Sequence, residues 1–330
     1  MATKRKDTDY LFLSGRIRSL ERRALNRQQV ERMLLAPTVA ESAQVLTELG
    51  YPAFDTQSVS SLHAALAQHR AELFADLVRY MPEPAVLDVF RIKYDYHNLK
   101  TIIKSQGGDF RPLLIDAGRI GAQTLAACYE RTGKWDFLPP AMGRAAAESA
   151  RVLAETGDPQ RSDFILDRAC FAEMLALARQ SRCDYLVSYV RTLIDAANLR
   201  DLVRTQRMHR PGGFLQQVLF DGGTVAVSEI LAGIGNGAAT LWRSTPLRDA
   251  AVLGDGAIAG GSLTDFEKAC DNAVMKKVNE ARSVPFGVEV VIGYIAAQEN
   301  ELVAVRTILS GRMAGMNPDM IRERLRDPYV

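Results

Sequence analysis

The sequence predicts an all-α protein made of three similar helical modules. Three observations carry this: one motif returns twice, apolar residues recur three and four apart in most segments, and strand signals are scarce. The motif is FRIKYDYHNLKTIIKS, Phe90 to Ser105. Moved on by 100 positions, it places Arg91 on Arg191, Asp95 on Asp195, Asn98 on Asn198, Leu99 on Leu199, Lys100 on Arg200 and Lys104 on Arg204. Moved on by 206 positions, it keeps an acid at Glu301, Val305 at the leucine place, Arg306 at the basic place, and Ile308 and Leu309 at the aliphatic places, while the asparagine has become Ala304. The repeat divides the chain into modules over 1–110, 111–210 and 211–330, and it outranks the 330-residue length, which alone suggests about two domains.

Spacing within the motif assigns its faces. Ile92, Tyr96, Leu99 and Ile103 fall on one side of a helix and should pack inward, while Arg91, Asp95 and Asn98 form a polar stripe beside them. Arg91 stands one turn before Asp95 and Arg191 one turn before Asp195, which allows ion pairing at the i to i+4 spacing. In the third copy that position is Ala297, so Glu301 must find another partner or stay in water.

Module one opens with DYLFLSGRIRSLERRAL, a helical stripe of Leu13, Ile17, Leu20 and Leu25 weakened at Gly15. NRQQVERMLLA follows behind an Asn26 cap. TVAESAQVLTELG has the Thr38 and Glu41 spacing of a capping box and stops at Gly50. SSLHAALAQHRAELFADLVRYM is a long helix ending before Pro82, and the first motif helix ends at Gly107 and Gly108. In module two, RPLLIDAGRIGAQTLAACYERTG reads as a short helical region, then AMGRAAAESARVLAETG and SDFILDRACFAEMLALARQ as helices. The second motif helix is closed by Arg210, Pro211, Gly212 and Gly213. Module three begins with an irregular stretch from Gly222 to Gly261, expected to be surface loop around Gly233 and Gly254. It continues with LTDFEKACDNAVMKKVNEA and the third motif helix after Pro285 and Gly287, and ends in NPDMIRERLR, capped by Asn317 with Pro318 at its first position.

The 47% hydrophobic content supports a buried core, and 41 Lys plus Arg against 39 Asp plus Glu leaves a net charge of +2, which gives no reason to expect nucleic acid. Cys128, Cys170, Cys183 and Cys270 are too scattered for a zinc site or a disulfide framework and read as free thiols. The histidines offer no metal-ligand spacing, and the glycine clusters lack the lysine and hydroxyl ending of a nucleotide loop, so no cofactor, metal or nucleotide is expected. MATKRK is not followed by the apolar run of a secretory signal, and no stretch is apolar enough to span a bilayer, so the chain is expected to be soluble and cytoplasmic. Asp95, Asp195 and Glu301, each in its own module, read as a repeated packing or pairing contact rather than a catalytic set, with Asn98, Leu99, Asn198, Leu199 and Val305 as the structural part of the same motif. Lys100, Arg200 and Arg306 are the candidate partner contacts, against the plainer reading of solvated or intermodule cations.

DYLFLSGRIRSLE, KYDYHNLKTIIK, DAANLRDLVR, PFGVEVVIGYIAAQENELVAVRTILSG and the closing IRERLRDPYV, in that order, resemble the C subunit of bacterial and archaeal V/A-type rotary ATPases, the counterpart of the d subunit in eukaryotic vacuolar ATPases. The front of module two and the glycine-rich part of module three match least. The resemblance implies a funnel or socket of three modules around a pseudo-threefold axis. One end would sit on the membrane ring of proteolipid subunits, and the other would receive the foot of a central stalk made of the D and F subunits. It implies a non-catalytic protein, held peripherally on the cytoplasmic face of the membrane, that transmits torque for ion transport. The alternative is a generic α-helical repeat adaptor for some other protein, with an all-α enzyme as a more distant third.

Overall fold

A computed structural model describes residues 5–326, which form helices, turns and loops with no strand among them, as the all-α expectation requires. Met1 to Lys4 of the opening MATKRK, and Asp327 to Val330 of the closing motif, lie outside the described residues. The helices run α1 (Leu11–Leu20), α2 (Arg27–Leu35), α3 (Val39–Glu48), α4 (Val59–Tyr80), α5 (Pro84–Ser105), α6 (Ala122–Thr132), α7 (Pro140–Thr156), α8 (Pro159–Gln180) and α9 (Asp184–Arg207). They continue as α10 (Gly212–Val218), α11 (Val227–Ala232), α12 (Ala238–Leu241), α13 (Arg248–Ile258), α14 (Leu263–Asn279), α15 (Val288–Met313) and α16 (Pro318–Arg322).

Local chemistry explains the boundaries. Asn26 accepts from the Gln29 amide at 2.9 Å to start α2, Thr38 accepts from the Glu41 amide at 3.1 Å to start α3, and Asn317 accepts from the Asp319 amide at 2.8 Å to start α16. The motif helices are α5, α9 and α15. Pro84 occupies the first turn of α5, where its missing N–H costs nothing, and Gln106 ends that helix in the left-handed region at φ 47°.

Each motif helix packs against the long helix that precedes another motif helix. α5 lies on α8, α9 on α14, and α15 on α4, so the contacts run in cyclic order and return to the start of the chain. Three apolar clusters follow from this. The largest gathers the first halves of α5, α9 and α15 and also holds Leu99 with Leu125, Met142 and Leu166. The second packs Leu199, Leu202 and Val203 of α9 against Ile230, Trp242, Ala251 and Phe266. The third packs Val305, Ile308 and Leu309 of α15 against Met33, Leu46 and Leu62 from the beginning of the chain, and Ile321 from its end.

Two sequence expectations need correction. Residues 111–133 are not one helical region: a 3-10 turn at Arg111–Leu113 and a loop precede α6. Residues 222–261 are not surface loop, for they contain α11, α12 and α13, with Ile230, Trp242, Leu247 and Ala251 fully buried. Gly254 belongs to that core, where an added Cβ would come within 2.9 Å of Val203 and 3.1 Å of Phe266.

Candidate functional site

The acids and asparagines of the motif are buried and hold loops in place. Asn98 accepts from the Ile115 amide at 2.8 Å and donates to the Ile115 carbonyl at 2.9 Å, which satisfies both backbone groups of one residue with one side chain. One turn earlier, Asp95 accepts from the amides of Arg119 at 3.2 Å and Ile120 at 3.0 Å. Arg91 does not pair with Asp95 and instead donates to the Gly118 carbonyl at 2.5 Å. α9 repeats this on residues 220–225. Asn198 makes both bonds to Phe220 at 2.8 Å, Asp195 accepts from Thr224 at 2.8 Å and Val225 at 3.2 Å, and Arg191 donates to the Gly223 carbonyl at 3.1 Å. Each of these carbonyls lies in the loop that the acid and asparagine of the same helix hold, which brings it within reach of the arginine.

The glycines in these loops are required by the close approach. A Cβ on Gly118 or Gly223 would overlap Oδ1 of Asp95 or Asp195 respectively. The sequence carries a signal for this that the motif alone does not include: IDAGRI at 115–120 and FDGGTV at 220–225 stand 105 positions apart.

Glu301 performs the third version on the start of the chain. Its carboxylate accepts from the Leu25 amide at 3.0 Å, the Tyr51 hydroxyl at 2.7 Å and the Gln298 side chain at 3.2 Å. Leu25, Ile120 and Val225 each stand two residues before a helix start, at Arg27, Ala122 and Val227. Burial pushes the carboxyls of Asp95, Asp195 and Glu301 upward, and the donated hydrogen bonds offset only part of it.

The basic places fall between helices. Lys100 pairs with Asp167 at 2.5 Å and Lys104 with Asp163 at 3.0 Å, while Arg200 pairs with Asp271 at 2.5 Å and Arg204 with Glu267 at 2.7 Å. Two motif helices thus each meet a neighbour that presents two carboxylates one turn apart. The third does not. Positions on α4 matching Asp163 and Asp167 of α8 are His63 and Ala67, Ser310 stands at the Lys104 place, and Arg306 is exposed with no ion pair among the described residues. Leu99, Leu199 and Val305 are fully buried, one in each apolar cluster.

Where the first halves of the motif helices meet, Phe90 stacks on Tyr189 with ring centroids 5.7 Å apart. Nearby, Lys93 pairs with Glu299 at 2.7 Å, and Tyr94 donates to the same carboxylate at 2.5 Å. Lys93 and Glu299 hold matching places in copies one and three. Burial pushes the Glu299 carboxyl up, but Lys93 and Arg70 together outweigh it and leave it below the usual range. Every one of these carboxylates is engaged in holding the chain's own backbone, hydroxyls or neighbouring cations. No helix among the described residues is long and apolar enough to cross a membrane.

Comparison with known proteins agrees along nearly the whole chain. The family model described as "ATP synthase (C/AC39) subunit" matches residues 13–324. The chain is 22% identical over 326 residues to the C subunit of the V-type sodium ATPase of Enterococcus hirae, covering 97% of this chain and 99% of that one. It is 23% identical over 359 residues to the C subunit of the A-type ATP synthase of Methanocaldococcus jannaschii, covering 96% and 86%. To the corresponding A-type ATP synthase C subunit of Haloferax volcanii it is 26% identical over 344 residues, covering 95% and 96%.

Proposed function

The chain belongs to the ATP synthase (C/AC39) subunit family, and from that premise we propose that it is the non-catalytic central-stalk component of a V/A-type rotary ATPase. In this reading it couples the rotor stalk, made of the D and F subunits, to the membrane proteolipid ring and transmits torque for ion transport. It sits on the cytoplasmic face of the membrane without entering it. Residues 1–110, 111–210 and 211–330 act as three units of one socket. The family match over residues 13–324 carries the reading. The cyclic packing of α5 on α8, α9 on α14 and α15 on α4 supports it, because a body closed on itself can pass a twisting load without unrolling.

The test is to strip this chain from membranes that carry the complex and to follow ATP hydrolysis and ion pumping together. Loss of ATP-driven pumping, restored by adding back the full chain, is the expected result. Pumping that survives removal of the chain would reject the proposal. Stoichiometric ATP binding to the isolated chain by calorimetry would reject its non-catalytic part.

A further inference from the structure

A basic groove lies beside the second half of α15. It is a cavity of about 570 Å³ between α14, α15 and the segment around α16, lined among others by Lys268, Arg306, Arg324 and Arg326. Arg326 shares Asp271 with Arg200, at 2.6 Å and 2.5 Å, and the lining acid Glu267 is taken by Arg204 at 2.7 Å. Lys268, Arg306 and Arg324 have no ion pair among the described residues, and Glu323 is the one lining carboxylate in the same condition. Thr264, Thr307 and Ser310 add hydroxyls to the wall.

We propose that this groove docks an acidic segment of another protein, carrying carboxylates one helical turn apart. The other two junctions argue for that chemistry. At each, two cations of a motif helix meet Asp163 and Asp167, or Glu267 and Asp271, four residues apart on an adjoining helix. On α15 the equivalent place is Arg306, which lines the groove with Lys268 and Arg324 and has no ion pair among the described residues. The partner supplies there what the chain supplies to itself elsewhere. The guanidinium groups of Arg306 and Arg324 favour carboxylates through paired, charge-assisted hydrogen bonds. The inference does not depend on which member of a complex carries the segment, so its failure would leave the family function standing.

Fluorescence anisotropy with the full chain and a labelled helical peptide bearing glutamates four residues apart tests it. Saturable binding that weakens steeply with salt is expected, as is a loss of at least about tenfold for the Arg306→Glu, Arg324→Glu double variant and a comparable loss for Lys268→Glu. Arg131→Glu, an exposed charge on α6, should leave binding unchanged. Unaltered thermal melting of each variant establishes that the fold is intact. Absence of saturable binding, or binding indifferent to the groove variants, overturns the proposal. Displacement of the peptide by inorganic phosphate at equal concentration would make the groove a simple anion site and overturn it too. So would groove-dependent binding to phosphatidylglycerol vesicles without peptide binding.

Discussion

Asp201 titrates far above the ordinary carboxyl range. Burial lifts it first, Asp167 adds to the lift, and Arg204 and Arg200 oppose it, with the result at about 7. A carboxyl near 3.9 in the unfolded chain and near 7 in the folded one binds more protons when folded across that interval. Stability therefore falls as pH climbs from about 4 to 7, and the contribution is gone above the folded value. Asp95, Asp195 and Glu301 are shifted in the same direction and add to the trend. Asp201→Asn should flatten this decline, raising the melting temperature at pH 8 more than at pH 5. Equal shifts at the two values, measured by thermal denaturation, would remove Asp201 as the cause.

The motif helices show at the next scale which side-chain contacts matter. Asn198→Ala leaves the amide and carbonyl of Phe220 buried without partners and should cost about 1–3 kcal/mol in urea denaturation, with faster hydrogen exchange over residues 220–225. Leu199→Ala, at a fully buried place, should cost about 2–5 kcal/mol. Lys104→Ala removes a half-exposed ion pair with Asp163 and should cost no more than about 1 kcal/mol. A large loss for Lys104→Ala with none for Asn198→Ala would invert this ranking. Much of the element pattern is legible in the sequence, because caps such as Asn26, Thr38 and Asn317 act within three residues and the motif spacing is preserved at Asp95 and Asp195. What Asp95 and Asn98 hold is not legible, since their partners are backbone groups some twenty residues on, and an amide has the same chemistry whatever residue bears it. The stretch 222–261 hides its helices for a different reason. Segments of six and four residues are too short for apolar periodicity to show, and in the eleven-residue α13 Gly254 and Gly256 read as breaks although Gly254 marks close packing. The basic places divide because exposure cannot be read from spacing alone: Lys100 and Arg200 turn toward acids on α8 and α14, and Arg306 does not.

Across the whole molecule, the bonds from Glu301 to Leu25 and Tyr51 tie the last motif helix to the start of the chain. Arg312 reinforces them by donating to the carbonyls of Leu34 and Ala36, as does the pair between Arg322 and Glu31 at 2.8 Å. Glu301→Ala should lower the melting temperature and speed hydrogen exchange in α2 while leaving residues 220–225 protected. Uniform acceleration over all three junctions would mean that they do not open separately. The same seam bears on how the protein is made. Leu25 and Glu301 are 276 residues apart, and the apolar cluster of Met33, Leu34, Val45 and Leu46 is completed by Leu302, Val305, Ile308 and Leu309 of α15. At a translation rate of about 5–20 residues per second, α2 and α3 leave the ribosome roughly 15–55 s before the helix that covers them exists. Through that interval the nascent chain carries an uncovered apolar face, so the first segments to emerge are the last to be sheltered and the ones most in need of a chaperone.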